Sequence, residues 1–376
     1  MTLSFSLDKD LIEKLSALDN KFAEKFAVLK NCNQDELDAL HKYARVSMIG
    51  ASTRIENALL TDIEVNWLDT ILTIDGKPTA FNKNRNLIED KLSKDRERSI
   101  EEVAGCRAML LLIYSNAMDF FPLKENDLRA LHYELMSPYK KAIPYAGKYK
   151  IQSNSVIEQN QLTKESRIVF KTANPGAITS AAMHDLLKWY NKSIPVSSWQ
   201  IAITSELVYR FLAIHPFQDG NGRLGRAMFL MSLLHSKSRI ISFVGKYLSI
   251  DRYIEKYKEE YYYVLNRCSD GSFKEDPKQY QVKFFLKFMI KVLNEAMDGI
   301  DIYRKKFTTE NQLSATAILI LNCFKENPAI RLATSIIMKE TNLPRRTVVY
   351  TLNNLLNANI IQKYGKGSSS RYQLCF

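Results

Sequence analysis

The chain has 376 residues, of which 46% are hydrophobic and 25% are charged, and its mean hydropathy is -0.24. This balance predicts a soluble globular protein of two or three domains with ample core. The formal net charge is +12 at pH 7, which is compatible with a nucleic-acid partner, a phosphate-bearing ligand or a solvated lysine-rich surface. The net charge by itself therefore does not identify the partner.

Neither a membrane-spanning helix nor a secretory signal is expected from the sequence. It has no run of about 18 apolar residues, so no membrane-spanning helix is expected. Charged residues between Asp8 and Lys14 interrupt any signal-peptide core at the N-terminus. The five cysteines have neither metal-ligand nor disulfide-framework spacing, and they are Cys32, Cys106, Cys268, Cys323 and Cys375. A reducing cytoplasm is the expected location.

Residues 1–104 have the periodicity of helices with charged faces. Asn33 and Asp35 are good caps for a helix over Glu36–Met48. A separate helix is expected over Ala51–Leu60, and Thr61 is expected to start the next element. The N-terminal region therefore contains several helices before the central part of the chain begins.

Residues 105–300 form the predicted core, which is mainly helical. The segment from Lys148 to Asn174 lacks helical periodicity and contains two strand-like pieces, Ser155–Ile157 and Arg167–Phe170. These pieces predict a β-hairpin. Residues 301–312 are charged and are expected to be a helix end or a linker.

The segment from His215 to Arg226 is His-Pro-Phe-Gln-Asp-Gly-Asn-Gly-Arg-Leu-Gly-Arg. Apolar periodicity predicts one helix ending at Ile214 and another running from Leu224 to His235. The turn Gly220–Gly222 then opens the second helix, where free N–H groups and the helix dipole favour an anion.

The side chains of this segment suit a magnesium-bound polyphosphate. Arg223 and Arg226 lie three residues apart, and the planar guanidinium group donates paired bonds to phosphate. Asp219 is a candidate Mg²⁺ ligand, because Mg²⁺ commonly takes one carboxylate together with phosphate oxygens. His215 is a candidate base, because imidazole exchanges protons near neutral pH.

Residues 313–376 predict a second, smaller domain. Helices are expected over Ser314–Phe324, Ala333–Glu340 and Pro344–Leu356, followed by a hairpin between Ile360 and Leu374. This order resembles a winged helix-turn-helix domain.

From residue 310 onward the chain has eight basic and three acidic residues, a net charge of +5. Candidate DNA contacts open the last helix and flank the wing, and they are Arg345, Arg346, Lys366 and Arg371. Winged helices also mediate protein contacts, so DNA binding stays one of two interpretations.

The string from His215 to Arg226 resembles the signature of the Fic family at every fixed position. The resemblance implies a mainly α fold, with a Fic-type helical core, a β-hairpin flap and here a C-terminal winged helix. It implies transfer of AMP from ATP, with Mg²⁺, to a hydroxyl group of a target protein. His215 would be the base, Phe217 a core anchor and Asp219 the metal ligand. The implied nucleotide contacts are Gly220, Asn221, Gly222, Arg223, Leu224, Gly225 and Arg226, with Arg226 directed to the γ-phosphate.

Other segments resemble parts of the same family. Ser52 to Asn57 matches the inhibitory motif Ser/Thr-x-x-x-Glu-Gly/Asn, in which Ser52, Glu56 and Asn57 are the fixed positions. This resemblance implies that Glu56 pairs with Arg226 and competes with the γ-phosphate. The hairpin after Lys148 corresponds to a flap that docks the target peptide by adding a strand. Lys150 stands where the family often has arginine, Glu158 where it often has glycine, and Tyr262 where a tyrosine lines the adenine pocket.

Several alternatives stay open at the level of sequence. The chain could be a nucleotide-sensing, DNA-binding regulator rather than a transferase. It could also move UMP or another phosphate-linked group, or remove AMP with the help of Glu56. The target protein is not identified, self-modification would be unsurprising, and a homodimer is an expectation from analogy alone.

Overall fold

The computed structural model describes residues 3–74, 77–92, 94–159 and 166–375. The described chain is mainly helical. Its helices are α1 (Lys9–Lys30), α2 (Gln34–Ile55), α3 (Asp62–Ile71), α4 (Phe81–Leu92), α5 (Glu97–Asn116), α6 (Glu125–Met136), α7 (Ala177–Ser193), α8 (Gln200–Ile214), α9 (Asn221–Leu234), α10 (Arg239–Gly245), α11 (Ile250–Lys256), α12 (Lys258–Arg267), α13 (Lys283–Asn311), α14 (Ala315–Glu326), α15 (Thr334–Thr341) and α16 (Arg345–Asn357). None of these helices is long and apolar enough to cross a membrane, within the ranges described.

Three small antiparallel sheets accompany the helices. Their strands are β1 (Thr73–Ile74), β2 (Lys77–Pro78), β3 (Val156–Gln159), β4 (Ser166–Phe170), β5 (Leu332–Ala333), β6 (Ile361–Tyr364) and β7 (Arg371–Leu374). The pairs β1–β2 and β3–β4 are hairpins, and the third sheet has the order β5–β7–β6. The predicted hairpin at 155–170 is confirmed. The β1–β2 pair was not predicted, because two-residue strands are too short to show a period in the sequence. Only helices were expected in that region.

Helix α2 begins as the sequence predicts but ends later. The side chain of Asn33 accepts a hydrogen bond from the backbone of Glu36 at 2.8 Å, which caps the helix. The predicted separate helix over Ala51–Leu60 is wrong, since α2 continues without a break to Ile55. A β-carbon at Gly50 would lie 2.2 Å from the Asp62 carboxylate, so this glycine allows a close approach and does not end the helix.

One large apolar core extends from Leu11 to Tyr303. It joins the N-terminal helices to the predicted central core, because α1 packs on α13 and α2 packs on α5, α11 and α13. Helix α5 crosses the expected boundary between residues 104 and 105. The expected linker at 301–312 is almost entirely the last part of α13. The first 300 residues are therefore built around one core.

A second, separate core lies between Ala317 and Tyr372. The three predicted helices of this region are present as α14, α15 and α16, and the predicted hairpin is present as β6 and β7. Strand β5 was not expected, and it pairs with β7 through Leu332 and Ala333. The side chain of Ser314 accepts a hydrogen bond from the Ala317 backbone at 3.2 Å, so it caps α14.

The contact between α5 and α6 leaves no room for a side chain at Gly105. A β-carbon there would lie 1.9 Å from the backbone oxygen of Leu135. We expect Gly105→Ala to lower the free energy of unfolding by about 3 kcal/mol or more, because the two helices must separate. The control is Gly245→Ala, where the nearest atom lies at 3.4 Å and a change within about 1 kcal/mol is expected. Urea unfolding of both variants checks this, and equal losses would contradict it.

Candidate active site

The turn between α8 and α9 carries the candidate catalytic residues. His215 ends α8 in the left-handed conformation with φ 55°, and Gly220 precedes α9 with φ 78°. A β-carbon at Gly220 would lie 3.0 Å from the sulfur of Met136 and 3.1 Å from a methyl group of Leu135. Glycine is therefore required at Gly220 both for its backbone angles and for the space.

The imidazole of His215 is suited to accept a proton. Its Nδ1 lies 3.1 Å from the carbonyl oxygen of Leu212, and a proton on Nδ1 is donated to that carbonyl. Burial lowers the pKa of His215 to about 4, and the charge of Lys150 acts in the same direction. The ring is therefore neutral near pH 7, and Nε2 keeps a free lone pair.

Three residues of the motif stabilise the turn itself. The amide of Asn221 accepts from the backbone N–H of Phe217 at 2.9 Å and donates to its carbonyl at 2.7 Å. Its side chain is therefore occupied within the turn, and the nucleotide contact expected of Asn221 stays a prediction. Leu224 is fully buried. A β-carbon at Gly225 would lie 2.8 Å from Leu212. Helix α8 covers this side of α9, and the nucleotide contacts expected of Leu224 and Gly225 stay predictions.

Asp219 lies between two arginines. Its carboxylate is 3.2 Å from Nη2 of Arg98 and 3.6 Å from Nη2 of Arg223, and it is about half exposed. Within the described residues no group of three or more histidines, cysteines or carboxylates is arranged to hold a metal ion. The Nε of Arg223 is buried and has no hydrogen-bond acceptor in the described part of the chain. The site therefore has one half-exposed carboxylate and a guanidinium group with one unsatisfied N–H.

Two residues of this site were missed by sequence analysis. Arg98 reaches Asp219 from α5, but in the sequence it looks like half of a surface pair with Glu102, which it also contacts at 2.7 Å. His132 donates from Nε2 to the backbone oxygen of Asp219 at 2.9 Å and accepts from Gly147 at 2.8 Å. A lone histidine in a helix gave no signal of this role.

Arg226 is buried and is surrounded by acceptors from α2 and α11. Its Nη2 lies 3.0 Å from the Glu56 carboxylate and donates to the carbonyl of Ser52 at 2.8 Å. Its Nε contacts the Ser52 hydroxyl at 3.3 Å and the buried Asp251 at 3.4 Å. Burial by itself would lower the pKa of Arg226, but the carboxylate of Glu56, together with Asp251, raises it above its usual value.

The Glu56 carboxylate occupies the start of α9. A β-carbon at Gly222, the second residue of α9, would lie 2.4 Å from Oε1 of Glu56. The first turn of a helix is where its free N–H groups and its dipole favour an anion. The pairing of Glu56 with Arg226 that sequence analysis expected is therefore present. The carboxylate also lies against the first turn of α9.

The end of α2 is fixed by its own contacts. Arg54 donates two hydrogen bonds to Glu255 at 2.7 and 2.9 Å, and a third to Asp62 at 2.7 Å. Asn57 then turns the chain with φ 70°, a conformation that asparagine adopts more easily than most residues. Lys258 donates to the Asn57 side chain at 2.9 Å. These contacts hold Glu56 in front of α9.

Tyr262 lies beside this contact rather than in the core. Its side chain is 41% exposed and its hydroxyl group lies 3.4 Å from the carbonyl oxygen of Ile55. Burial raises the pKa of the Tyr262 hydroxyl, and the Glu56 carboxylate raises it further. The neighbouring Tyr261 is buried next to Arg226. The adenine contact of Tyr262 stays a prediction.

Other predicted residues lie away from this turn. Arg345, Arg346, Lys366 and Arg371 are exposed in the C-terminal domain, on or beside α16 and the β6–β7 hairpin. The hairpin β3–β4 has a bulge between Val156 and Ile157. Residues 160–165 and the side chains of 156–169, including Glu158, lie outside the described part of the structure. The expected target-docking role of the hairpin stays a prediction.

The fold is similar to those of several solved structures. A Fic family protein from Desulfovibrio desulfuricans G20 has a TM-score of 0.56 and 22% identity, covering 100% of this chain and 98% of that one. A Fic domain containing signaling protein from Bacteroides thetaiotaomicron VPI-5482 has a TM-score of 0.53 and 21% identity, covering 77% and 97%. Fic-1 from C. elegans has a TM-score of 0.52 and 15% identity, covering 77% and 73%. These similarities show a fold of the mainly helical Fic type.

The turn and Arg226 lie in a segment that matches a family model. Residues 122–233 match the family model described as Fic/DOC family. The matched range includes the hairpin β3–β4, the turn at His215 and Arg226. The chain therefore carries a Fic/DOC domain. Proteins with this domain typically transfer AMP or other nucleotides onto proteins, using a nucleoside triphosphate and a metal.

Acid is expected to destabilise this site through His132. Burial lowers the pKa of His132 to about 4, whereas the unfolded value is 6.5. Between those values the unfolded state binds a proton that the folded state does not, so stability falls as the pH drops from 6.5 towards 4, by at most about 3 kcal/mol for this residue. His132→Gln is expected to weaken that pH dependence, and the exposed His184→Gln is the control. Urea unfolding at several pH values checks this, and identical slopes would contradict it.

Proposed function

We propose that this chain is a protein adenylyltransferase that is held inactive by its own Glu56. It would transfer AMP from ATP to a hydroxyl group of a target protein. The observation that carries this proposal is the contact at 3.0 Å between the Glu56 carboxylate and Arg226, at the start of α9. A carboxylate in an anion site of this kind marks where a phosphate would bind.

The residues present fit the phosphates of ATP. The first turn of α9 presents backbone N–H groups, and Arg223 and Arg226 supply guanidinium groups to the same region. The unsatisfied Nε of Arg223 would gain an acceptor when a phosphate binds. These groups favour a triphosphate over a neutral ligand.

The half-exposed Asp219 suits Mg²⁺ that arrives with the nucleotide. One carboxylate with access to solvent is the protein contribution that Mg²⁺ commonly uses, and phosphate oxygens and water complete its shell. The guanidinium of Arg98 at 3.2 Å shows that this carboxylate already accepts a cation. Bound Mg²⁺ would neutralise phosphate charge as pyrophosphate leaves.

The proposed reaction assigns the base to His215. Its Nε2 takes the proton from the target hydroxyl, and the hydroxyl oxygen attacks the α-phosphorus. The bond from that phosphorus to the bridging oxygen breaks, and pyrophosphate leaves with the bonding electrons. Such transfers depend mainly on position and on charge stabilisation, which the turn and the two arginines supply.

Inhibition follows from competition for Arg226. A γ-phosphate that binds the guanidinium must displace Glu56 or lie beside its negative charge, and both cost free energy. The contacts of Arg54 with Glu255 and Asp62 make displacement harder, because they fix the end of α2. Removal of AMP and transfer of UMP use the same site and remain alternative outcomes of the experiment below.

Glu56→Gly is expected to raise transfer strongly, because Arg226 becomes free for the γ-phosphate. Glu56→Gly/His215→Ala is expected to lose transfer on the order of a hundred-fold or more, because no base takes the hydroxyl proton. Intact mass spectrometry after incubation with ATP and Mg²⁺ measures the mass of one added AMP on the protein itself or on an added candidate target.

Two controls separate the possible results of that experiment. Glu255→Gln keeps Glu56 but weakens the contact with Arg54 that fixes the end of α2. Its transfer activity is expected to lie between those of the wild type and Glu56→Gly. UTP in place of ATP tests the nucleotide, and added mass from UTP alone would replace AMP by UMP in the proposal. Equal transfer by the wild type and Glu56→Gly would contradict autoinhibition. ATP binding by Glu56→Gly without transfer to itself or to a cell lysate would favour a nucleotide sensor.

A second candidate function concerns the C-terminal domain. Residues 341–376 contain five basic residues and no acidic residue. Arg345 and Arg346 are exposed in the first turn of α16, and Lys366 is exposed near the tip of the β6–β7 hairpin. A segment whose charged residues are all positive favours binding to a polyanion. We propose duplex DNA as that partner.

Arg345→Ala/Arg346→Ala is expected to weaken DNA binding about ten-fold or more and to reduce its dependence on salt. Fluorescence anisotropy with a labelled duplex at several salt concentrations measures both quantities. Lys339→Ala, an exposed lysine on α15 outside the basic segment, is the control and is expected to change little. Unchanged binding by the double variant would contradict the proposed DNA surface.

A further inference from the structure

Two residues before the hairpin hold the backbone of the catalytic turn. Lys150 and Asn154 donate to four consecutive carbonyl oxygens, those of residues 214–217. The Nζ of Lys150 donates to Ile214 at 3.1 Å, and its backbone N–H donates to Pro216 at 2.8 Å. The Asn154 amide donates to His215 at 3.4 Å and to Phe217 at 2.5 Å. The candidate base therefore lies in a backbone segment that is bound at every residue.

Among the residues that the structure describes, the ammonium group of Lys150 has only neutral acceptors. Besides Ile214, it donates to Asn154 at 2.8 Å and to the hydroxyl of Thr172 at 2.9 Å, so all three N–H bonds have a partner. The side chain is buried, and burial lowers the pKa of Lys150 to about 8. A buried ammonium without a carboxylate partner is costly, and three well-directed hydrogen bonds offset that cost.

These contacts join both ends of the hairpin to the turn. Lys150 and Asn154 precede β3, and Thr172 follows β4. The Thr172 hydroxyl donates in turn to Asn154 at 3.0 Å, which closes the group. Tyr149 also pairs with Phe217 as an isolated β-bridge. The base of the hairpin and the turn therefore form one hydrogen-bonded unit.

We infer that Lys150, Asn154 and Thr172 are positioning residues that place the His215 imidazole relative to the hairpin β3–β4. This inference rests on the proposed transferase function. A target strand paired with the hairpin would then present its hydroxyl group at a fixed distance from Nε2. The three residues act through the backbone of the turn and do not touch the nucleotide.

Lys150 also affects the charge state of the base. In the described part of the chain, the charges of Lys150, Glu56 and Asp219 act on His215. The ammonium opposes protonation of the imidazole, whereas the two carboxylates favour it. Loss of the ammonium therefore moves the acid limb of a pH–rate profile to higher pH, an effect that a purely structural role does not produce.

The test uses three substitutions in the Glu56→Gly protein. Lys150→Met removes the ammonium at similar length, and Thr172→Val removes one hydroxyl with little change of shape. Lys148→Met is the control, because Lys148 is exposed two residues away. We expect Lys150→Met to lower kcat for transfer ten- to a hundred-fold, on the order expected for a misplaced base, with KM for ATP changed less than about two-fold. Thr172→Val is expected to act in the same direction with a smaller effect.

Hydrogen exchange of peptides covering 211–222 provides a readout that does not need transfer. Faster exchange in Lys150→Met and Thr172→Val, with normal exchange in Lys148→Met, is the expected result. Unchanged exchange in both test variants overturns the inference. So does a fall in kcat for Lys150→Met that only equals the fall for Lys148→Met. An acid limb of the pH–rate profile that does not move in Lys150→Met overturns it as well. If the Glu56→Gly protein transfers nothing, the proposed function fails, and exchange still decides whether these residues hold the turn.

Discussion

The buried guanidinium of Arg226 is the constraint on which the rest of the site depends. A cation without solvent must be surrounded by acceptors, and here they come from α2 and α11, through Ser52, Glu56 and Asp251. Ser52 and Asp251 are themselves buried, whereas the Glu56 side chain is about one-third exposed. Of the acceptors around Arg226, Glu56 is therefore the one that an entering phosphate is best able to replace.

This arrangement explains why the N-terminal helices share the core of the Fic/DOC domain. Helix α2 must be held firmly enough for its last turn to deliver a carboxylate to the start of α9. It packs on α5, α11 and α13, and the ion pairs of Arg54 fix its end. The position of the Glu56 carboxylate is therefore set by many contacts along α2 and at its end.

The twelve-residue motif divides into residues that build the turn and residues that carry charge or an exchangeable proton. Phe217, Asn221, Leu224 and Gly225 are occupied with packing and with backbone hydrogen bonds. His215, Asp219, Arg223 and Arg226 carry the charges and the exchangeable proton. The dense motif is thus partly a folding requirement, because a left-handed residue, a tight turn and a helix start must follow each other within a few residues.

Local sequence determined much of this protein. Periodicity and caps predicted the helices around the turn, the β3–β4 hairpin, and the three helices and the β6–β7 hairpin of the C-terminal domain. The motif predicted the pairing of Glu56 with Arg226. Tertiary structure decided the rest. Only packing brings Arg98, His132 and Lys150 to the turn, joins α2 to the central core and buries Leu224, because these contacts link residues far apart in sequence whose local patterns are those of ordinary helices and loops. A period shows which face of a helix is apolar, but not which other helix covers it.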